Sequence, residues 1–479
     1  MGVLKKFSII LVVLVSSILL IAVFNSLSNP SSDHEFFYVG VTYCGESVEE
    51  AKLLIDRVKD YTNLFVLQSG PLQEFPDKIN EICNYAVSSG MYFIVYFGTD
   101  RWWFLRNWLE TCEGRWGDRF LGIYYGDELG GKMIDHEARL WDSATNSSWL
   151  KYHDGSIQGN IDENTTIEYW PNGRIALSIS EISSSPYNDE GIFDPSLYNR
   201  TYTRITYYPN GTIITKIHDD FDPIPKIVED YNVTYTYEEL LNMHPFQSYD
   251  EIAEGFIEYQ YQILSKGPKN ETAIPAFIAD YALYWFDYKA GYDVVLASFG
   301  WNHTLAQDIA LVGGAAKLQN KEWGAIITWK YNHQPYLDSG EEIYDQMRMA
   351  YEAGAEYVVI FNYAEDMEGP YGTLQEEHFA ALERFWNEVV QSPKVKHGSV
   401  KAEAVLVLPE NYGWGMRTPE DKIWGLGGPD EKSQQIWQLS RNLLEQYNTR
   451  LDIVYDDSEF TVTGKYPQII YWNQTSSSN

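Results

Sequence analysis

The chain has 479 residues, enough for two or three domains or for one large barrel with additions. A hydrophobic content of 44% excludes global disorder, and 35 Lys+Arg against 68 Asp+Glu leave a net charge of −33. So acidic a surface repels phosphate backbones and anionic lipid, which excludes a nucleic-acid role. Aromatic residues reach 15%, with 37 Tyr and 16 Trp, a composition suited to neutral hydroxylated ligands whose C–H faces stack on rings.

Residues 1–33 read as a membrane anchor or signal segment with a linker. Lys5 and Lys6 precede residues 7–24, which are apolar apart from Ser8, Ser16 and Ser17. That run is just long enough to span a bilayer, and the flanking lysines favour an N-in orientation. Small residues at Ser26 and Ser28 leave cleavage open. The expected location is the cell surface, anchored by residues 7–24, or the extracellular space after cleavage. Eight Asn-x-Ser/Thr sequons, at Asn146, Asn164, Asn199, Asn210, Asn232, Asn270, Asn302 and Asn473, agree with an exported glycoprotein. Three cysteines give no disulfide framework, although Cys83 and Cys112 fall on expected helices and one bridge is conceivable.

From residue 34 to 393 short apolar runs alternate with amphipathic stretches. Strands are expected at 36–43, 64–67, 92–97 and 120–125, with helices at 47–61, 77–89 and 101–112 between them. Ser47 caps the first helix and Gly90 stops the second. After a long interruption, a helix at 249–264 resumes the rhythm. Strands follow at 276–279, 294–298, 324–329 and 357–361, each with its helix. Eight strand–helix units with no Gly-rich dinucleotide fingerprint predict an α/β fold, a closed (β/α)8 barrel. The interruption, 132–245, carries Pro171-Asn172-Gly173 and Pro209-Asn210-Gly211 between alternating runs, the signature of two hairpins in a β-rich insertion. It is expected to be either a glycosylated decoration or a lid beside the site. Residues 402–479 read as a small α/β domain of order β-α-β-β, flavodoxin-like, whose segment 413–417 faces a ligand or the barrel.

In a parallel barrel the strand C-termini surround the site. The residues there are Tyr43 and Cys44, Gln68, Asp100 and Arg101, then Tyr125, Asp127 and Glu128, from the first four strands. The last four add Asp280 and Tyr281; Trp301, Asn302 and His303; Trp329, Lys330 and Tyr331; and Asn362, Tyr363, Glu365 and Asp366. This ring is rich in carboxylates and aromatics. Glycosidic hydrolysis needs such equipment, one acid to protonate the leaving oxygen and one carboxylate as nucleophile or base.

The motif Gly122-Ile-Tyr-Tyr-Gly-Asp-Glu128 and the barrel over about 36–393 resemble the (β/α)8 glycoside-hydrolase superfamily. The resemblance implies an acid/base at the end of the fourth strand, at Glu128 or, in another register, Asp127. It also implies a nucleophile at the end of the seventh strand, where this chain has Trp329-Lys330. The partner carboxylate must then come from Asp280, Glu365, Asp366 or Asp100, although Asp100 and Asp280 also suit helix caps. The leading assignment has Glu128 as proton donor with Asp127 or Asp280 assisting. Tyr43, Tyr125, Tyr281, Trp301, Trp329, Lys330, Asn362, Tyr363 and Glu365 are the expected sugar contacts. No zinc or thioredoxin-type spacing, P-loop or serine elbow occurs, and the acidic run 218–222 lacks EF-hand spacing, so neither metal nor cofactor is expected. The resulting expectation is an extracytoplasmic carbohydrate-active enzyme acting by carboxylate acid/base catalysis. The alternative is a non-catalytic glycan-binding or structural protein on the same scaffold.

Overall fold

The computed structural model describes residues 36–98, 101–112, 115–136, 138–142, 147–151, 155–160, 165–182, 200–218, 235–245, 248–267, 274–301, 303–391, 394–425 and 428–474. Residues 7–24 lie outside these, as do Asp100 and the sequon asparagines Asn146, Asn164, Asn199, Asn232, Asn270 and Asn302. Among the described residues no helix is long and apolar enough to cross a membrane.

The first four barrel strands are β1 (Tyr38–Tyr43), β2 (Leu64–Leu67), β3 (Tyr92–Tyr96) and β4 (Phe120–Asp127). Between them run α1 (Val48–Val58), α2 (Pro76–Ser88) and α3 (Trp102–Cys112). Ser47 caps α1 through its hydroxyl, which accepts from the Glu50 N–H, and acidic Glu49 and Glu50 fill the first turn. After β4 the chain enters α4 (Leu129–His136) at once, although the sequence gives no helix signal at Leu129-Gly130-Gly131. The insertion therefore begins after α4.

It forms one antiparallel sheet of eight strands: β5 (Ala138–Asp142), β6 (Ser147–Lys151), β7 (Ile157–Asn160), β8 (Thr165–Tyr169), β9 (Ile175–Ile182), β10 (Arg200–Tyr207), β11 (Ile213–His218) and β12 (His244–Pro245). Both Pro-Asn-Gly segments turn hairpins, β8–β9 and β10–β11, with Gly173 and Gly211 in the left-handed region. Trp149, Ile157, Ile167, Tyr169, Leu177 and Ile205 give this sheet its own core, with Leu240 added from α5 (Tyr237–Leu241).

The barrel resumes with α6 (Tyr249–Lys266), β13 (Ala276–Asp280), α7 (Tyr284–Lys289), β14 (Val294–Phe299), α8 (Leu305–Gln319), β15 (Glu322–Ile327), α9 (Gly340–Ala353), β16 (Tyr357–Ile360) and α10 (Glu376–Phe385). The strands close in the order β1-β16-β15-β14-β13-β4-β3-β2, every pair parallel. The fold is thus the expected (β/α)8 barrel. Its lumen is packed by Leu64, Val66, Ile94, Tyr124, Phe277, Ala279, Leu296, Ile326 and Val359, so it is a core and not a pore.

The C-terminal unit has three parallel strands, β17 (Ala404–Leu408), β18 (Leu451–Tyr455) and β19 (Gln468–Tyr471), in the order β18-β17-β19, with α11 (Glu431–Tyr447). It docks on barrel helix α8. A Cβ on Gly314 would meet Val454 Cγ1 at 2.9 Å and the Ile453 carbonyl at 3.0 Å, so only glycine allows so close a seat. Lys317–Asp452 at 3.3 Å and Lys289–Asp457 at 2.8 Å pin the contact.

Candidate active site

A cleft of about 1020 Å³ opens at the strand C-termini on one side of the barrel mouth. It is lined by Cys44, Gln68, Tyr96 and Asp127 from the ends of β1 to β4, by Phe361 and Tyr363 after β16, and by Glu46, Glu50, Met367 and Glu368 from loops and the first turn of α1. No described residue of the insertion lines it.

Asp127 reaches this cleft because β4 is bulged. Phe277 pairs with Tyr124 and Ala279 with Asp127, while Ile278 pairs with Gly126, so Tyr125 is the extra residue. Phe277 and Ala279 both face the lumen, and Tyr124 and Asp127 share that face. Without the bulge the alternation of a strand would set Tyr124 and Asp127 on opposite faces. The Tyr124 hydroxyl donates to Asp127 Oδ1, and Gln68 Nε2 donates to that hydroxyl at 3.5 Å. Burial raises the Asp127 pKa above the ordinary carboxylate value, against the lowering effect of the Tyr124 hydroxyl.

Glu128 stands beside the cleft and not among its lining residues. Its backbone sits at φ 60, a left-handed turn that takes the chain from β4 straight into α4, and its N–H donates to the Ala279 carbonyl at 2.7 Å. Burial and the neighbouring Asp127 charge raise its pKa, while Lys132, 3.6 Å away, opposes them.

Asp280 has a different place from the one expected. Ala279 faces the lumen, so the next residue points away from it, and Asp280 is 0% exposed. Its carboxylate accepts from the N–H groups of Gly130 (2.5 Å), Gly131 (2.7 Å), Tyr281 (2.7 Å) and Ala282 (3.2 Å), so it caps α4. A Cβ on Gly130 or Gly131 would fall 2.5 Å from the Ala282 carbonyl or 2.1 Å from the Tyr281 ring, which explains the Gly-Gly pair. Burial nevertheless pushes the Asp280 pKa up to about 7. Asp287 is also fully buried, and its pKa is raised by burial and by the charge of Asp280.

The remaining expected contacts divide. Tyr363 and Cys44 line the cleft, and burial pushes the Cys44 thiol up to about 12, so it is not a thiolate nucleophile. Asn362 lines an adjoining recess but is 4% exposed, and its Oδ1 accepts from the Leu374 N–H at 3.4 Å. Tyr43 is buried, its hydroxyl bound to the Ser47 carbonyl at 2.7 Å, so it shapes the recess from beneath. Tyr125 is buried, and a Cβ on Gly267, just beyond α6, would lie 3.0 Å from its ring, so it packs on the outside of the barrel.

Tyr281 donates to Asp135 Oδ2 at 2.5 Å, and Asp135 pairs with Arg417 at 2.7 Å. Arg417 also holds Asp421 in a two-pronged bond, so segment 413–417 of the C-terminal unit faces the barrel. His303 lies against Tyr281, its pKa lowered to about 4 by burial and by Arg417. Trp301 is 38% exposed and packs edge-on to Trp329, whose indole N–H donates to the Tyr363 carbonyl at 2.8 Å. Lys330 is bound to Asp338 at 2.5 Å and Glu342 at 3.2 Å. Arg101 pairs with Glu74, Asp366 accepts from the Tyr336 hydroxyl, and Glu365 is exposed. The disulfide weighed for Cys83 and Cys112 is not formed; both are buried thiols.

Tyr96, Phe361, Glu46, Glu50 and Glu368 were not singled out from sequence. Glu50 looked like an ordinary first-turn acid of α1, and Tyr96 and Phe361 like the apolar ends of strands. Among the described residues no three His, Cys, Asp or Glu side chains gather to hold a metal ion.

No protein-family model and no curated protein matches the chain. Among solved structures the chain is similar to the crystal structure of an endo-1,4-β-mannanase from Eisenia fetida, with 10% identity and a TM-score of 0.35 over 74% of this chain and 91% of that one. It is also similar to an endo-1,4-β-mannanase from Rhizomucor miehei, with 9% identity and a TM-score of 0.28 over 73% of this chain and 94% of that one. The barrel itself rests on the closed strand order described above.

Proposed function

We propose that the cleft binds a carbohydrate outside the cytoplasm and that Asp127 protonates a glycosidic oxygen there. The observation that carries this reading is the bulge in β4, which delivers one desolvated carboxyl to the floor of a ring-lined cleft. An acid whose pKa is raised keeps its proton long enough to donate it, and the Tyr124 hydroxyl orients it. Hydrolysis needs a second carboxylate as nucleophile or base. The cleft offers Glu46, Glu50 and Glu368, of which Glu50 is the half-buried one. Tyr96, Phe361 and Tyr363 supply ring faces for the sugar. Glu128, first in line from the sequence, becomes the residue that turns the chain and adds charge beside Asp127. The extracytoplasmic setting is supported by the sequence of residues 7–24 and by exposed sequons at Asn210 and Asn473.

A second reading, glycan binding without hydrolysis, is favoured by one observation: β13, β14 and β15 send no carboxylate into the cleft. The two readings separate in a glycan-release assay on a broad oligosaccharide panel with the parent, Asp127→Asn and Glu128→Gln. Release that falls at least about a hundredfold in Asp127→Asn and less than about tenfold in Glu128→Gln supports acid catalysis at Asp127. The reverse order restores Glu128 as the acid. Binding without release by the parent selects the second reading.

A further inference from the structure

Resting on that reading, we propose that the cleft takes a glycan bearing free amines, an amino-sugar chain in its cationic form. Four of the fourteen lining residues are carboxylic acids, Glu46, Glu50, Asp127 and Glu368, and none is Lys, Arg or His. Basic side chains on neighbouring strand ends are already engaged. Lys132 pairs with Glu128 and donates to the Asp127 carbonyl, Arg101 pairs with Glu74, and Lys330 pairs with Asp338 and Glu342. A low-dielectric cleft lined by one sign of charge concentrates ligands of the other sign.

Gln68 adds a polar side chain to the wall. It is 8% exposed, lines the cleft, and spends its Nε2 on the Tyr124 hydroxyl, which leaves its Oε1 buried with no donor. Tyr124 gives its own proton to Asp127 and accepts from Gln68. A buried acceptor without a partner is unfavourable. An ammonium brings three donors and no acceptor, whereas a hydroxyl brings one donor with two lone pairs and an acetamide adds a carbonyl that the carboxylates repel. The acids do not converge into a metal cage, so the charge of Glu46, Glu50 and Glu368 suits a cation spread along a chain. The faces of Tyr96, Phe361 and Tyr363 accept both the sugar rings and the positive charge.

Calorimetric titration of the chain with a glucosamine tetramer and with its N-acetylated counterpart, at low and moderate salt, tests this. The free-amine tetramer is expected to bind at least about tenfold tighter, and salt should erode that preference. Glu46→Gln with Glu368→Gln, both on exposed residues, should cut the preference at least about fivefold without lowering the melting temperature. Equal or tighter binding of the N-acetylated tetramer overturns the amine assignment, while Asp127-dependent release from neutral glycans would leave the hydrolase reading standing. Amine-selective binding with no release in the panel supports the assignment and overturns hydrolysis instead. A linear polyamine that displaces the tetramer at equal concentration shows that the cleft reads charge alone, and also overturns the sugar assignment.

Discussion

Strands β1 to β4 and β16 end at an open cleft, whereas the chain after β13 and β14 is bonded to the C-terminal unit through Arg417 and the Met416 carbonyl. Asp127 and Asp280 make the contrast sharp, since they lie at the ends of adjacent strands, Asp127 level with Ala279. One faces the lumen with a single hydroxyl donor; the other faces the helix layer with four backbone donors. Around Asp280 the chain spends its polar groups on structure: Tyr281 on Asp135, Asp135 on Arg417, and Gln307 on the Met416 carbonyl at 2.9 Å. Around Asp127 four acids stand on the wall of an open cleft instead. A strand-end carboxylate is therefore a site residue only if its parity and its donors leave it facing the ligand.

The largest effect that sharpens this contrast is on stability. Asp280→Ala strands buried N–H groups at the start of α4 and should cost about 3–5 kcal/mol in urea unfolding. Asp127→Ala leaves a single buried donor, the Tyr124 hydroxyl, without its acceptor and should cost less, about 1–3 kcal/mol. Equal losses would erase the division between a structural and a functional acid.

A second expectation follows from the acid pair on the closed side. Burial pushes Asp280 up to about 7 and raises Asp287 as well, so the folded chain holds protons that the unfolded chain has released. Stability from these groups is full below the ordinary carboxylate pKa and is lost as pH rises through about 7. The melting temperature should therefore be higher at pH 5 than at pH 8. Asp287→Asn, which can keep the Gln260 bond at Oδ1 while removing one charge, should flatten that slope by raising the pH 8 value. An unchanged slope would mean that the pair is not what titrates.

Much of this architecture is legible in the sequence, because parallel strands buried on both faces write themselves as short apolar runs and their helices carry caps. Ser47 and Gly90 marked helix ends that the structure keeps, and the two Pro-Asn-Gly turns marked their hairpins. Three features escaped. The bulge at Tyr125 leaves no local signal, yet it decides that Asp127 and not Gly126 joins Tyr124 in the lumen. Leu129-Gly130-Gly131 reads as a loop by propensity; the helix starts there because Asp280, distant in sequence, supplies its cap. Parity hid the role of Asp280: with Phe277 and Ala279 luminal it had to point outward, but only the closed barrel says which face is the lumen.

The smallest effect comes from the aromatic wall. Tyr363 is 39% exposed, lines the cleft, and lends its backbone carbonyl to the Trp329 indole. Tyr363→Ala keeps that carbonyl and empties only the ring's place, so the fold should be unchanged within about 0.5 kcal/mol. Loss of one stacking face should weaken binding of the preferred oligosaccharide by about three- to tenfold, read by calorimetry. The matching change on the closed side, Tyr281→Phe, removes the bond to Asp135 and should do the opposite, lowering the melting temperature and leaving affinity alone. If Tyr281→Phe weakens binding as much as Tyr363→Ala, the ligand extends across the whole mouth and the closed half belongs to the site.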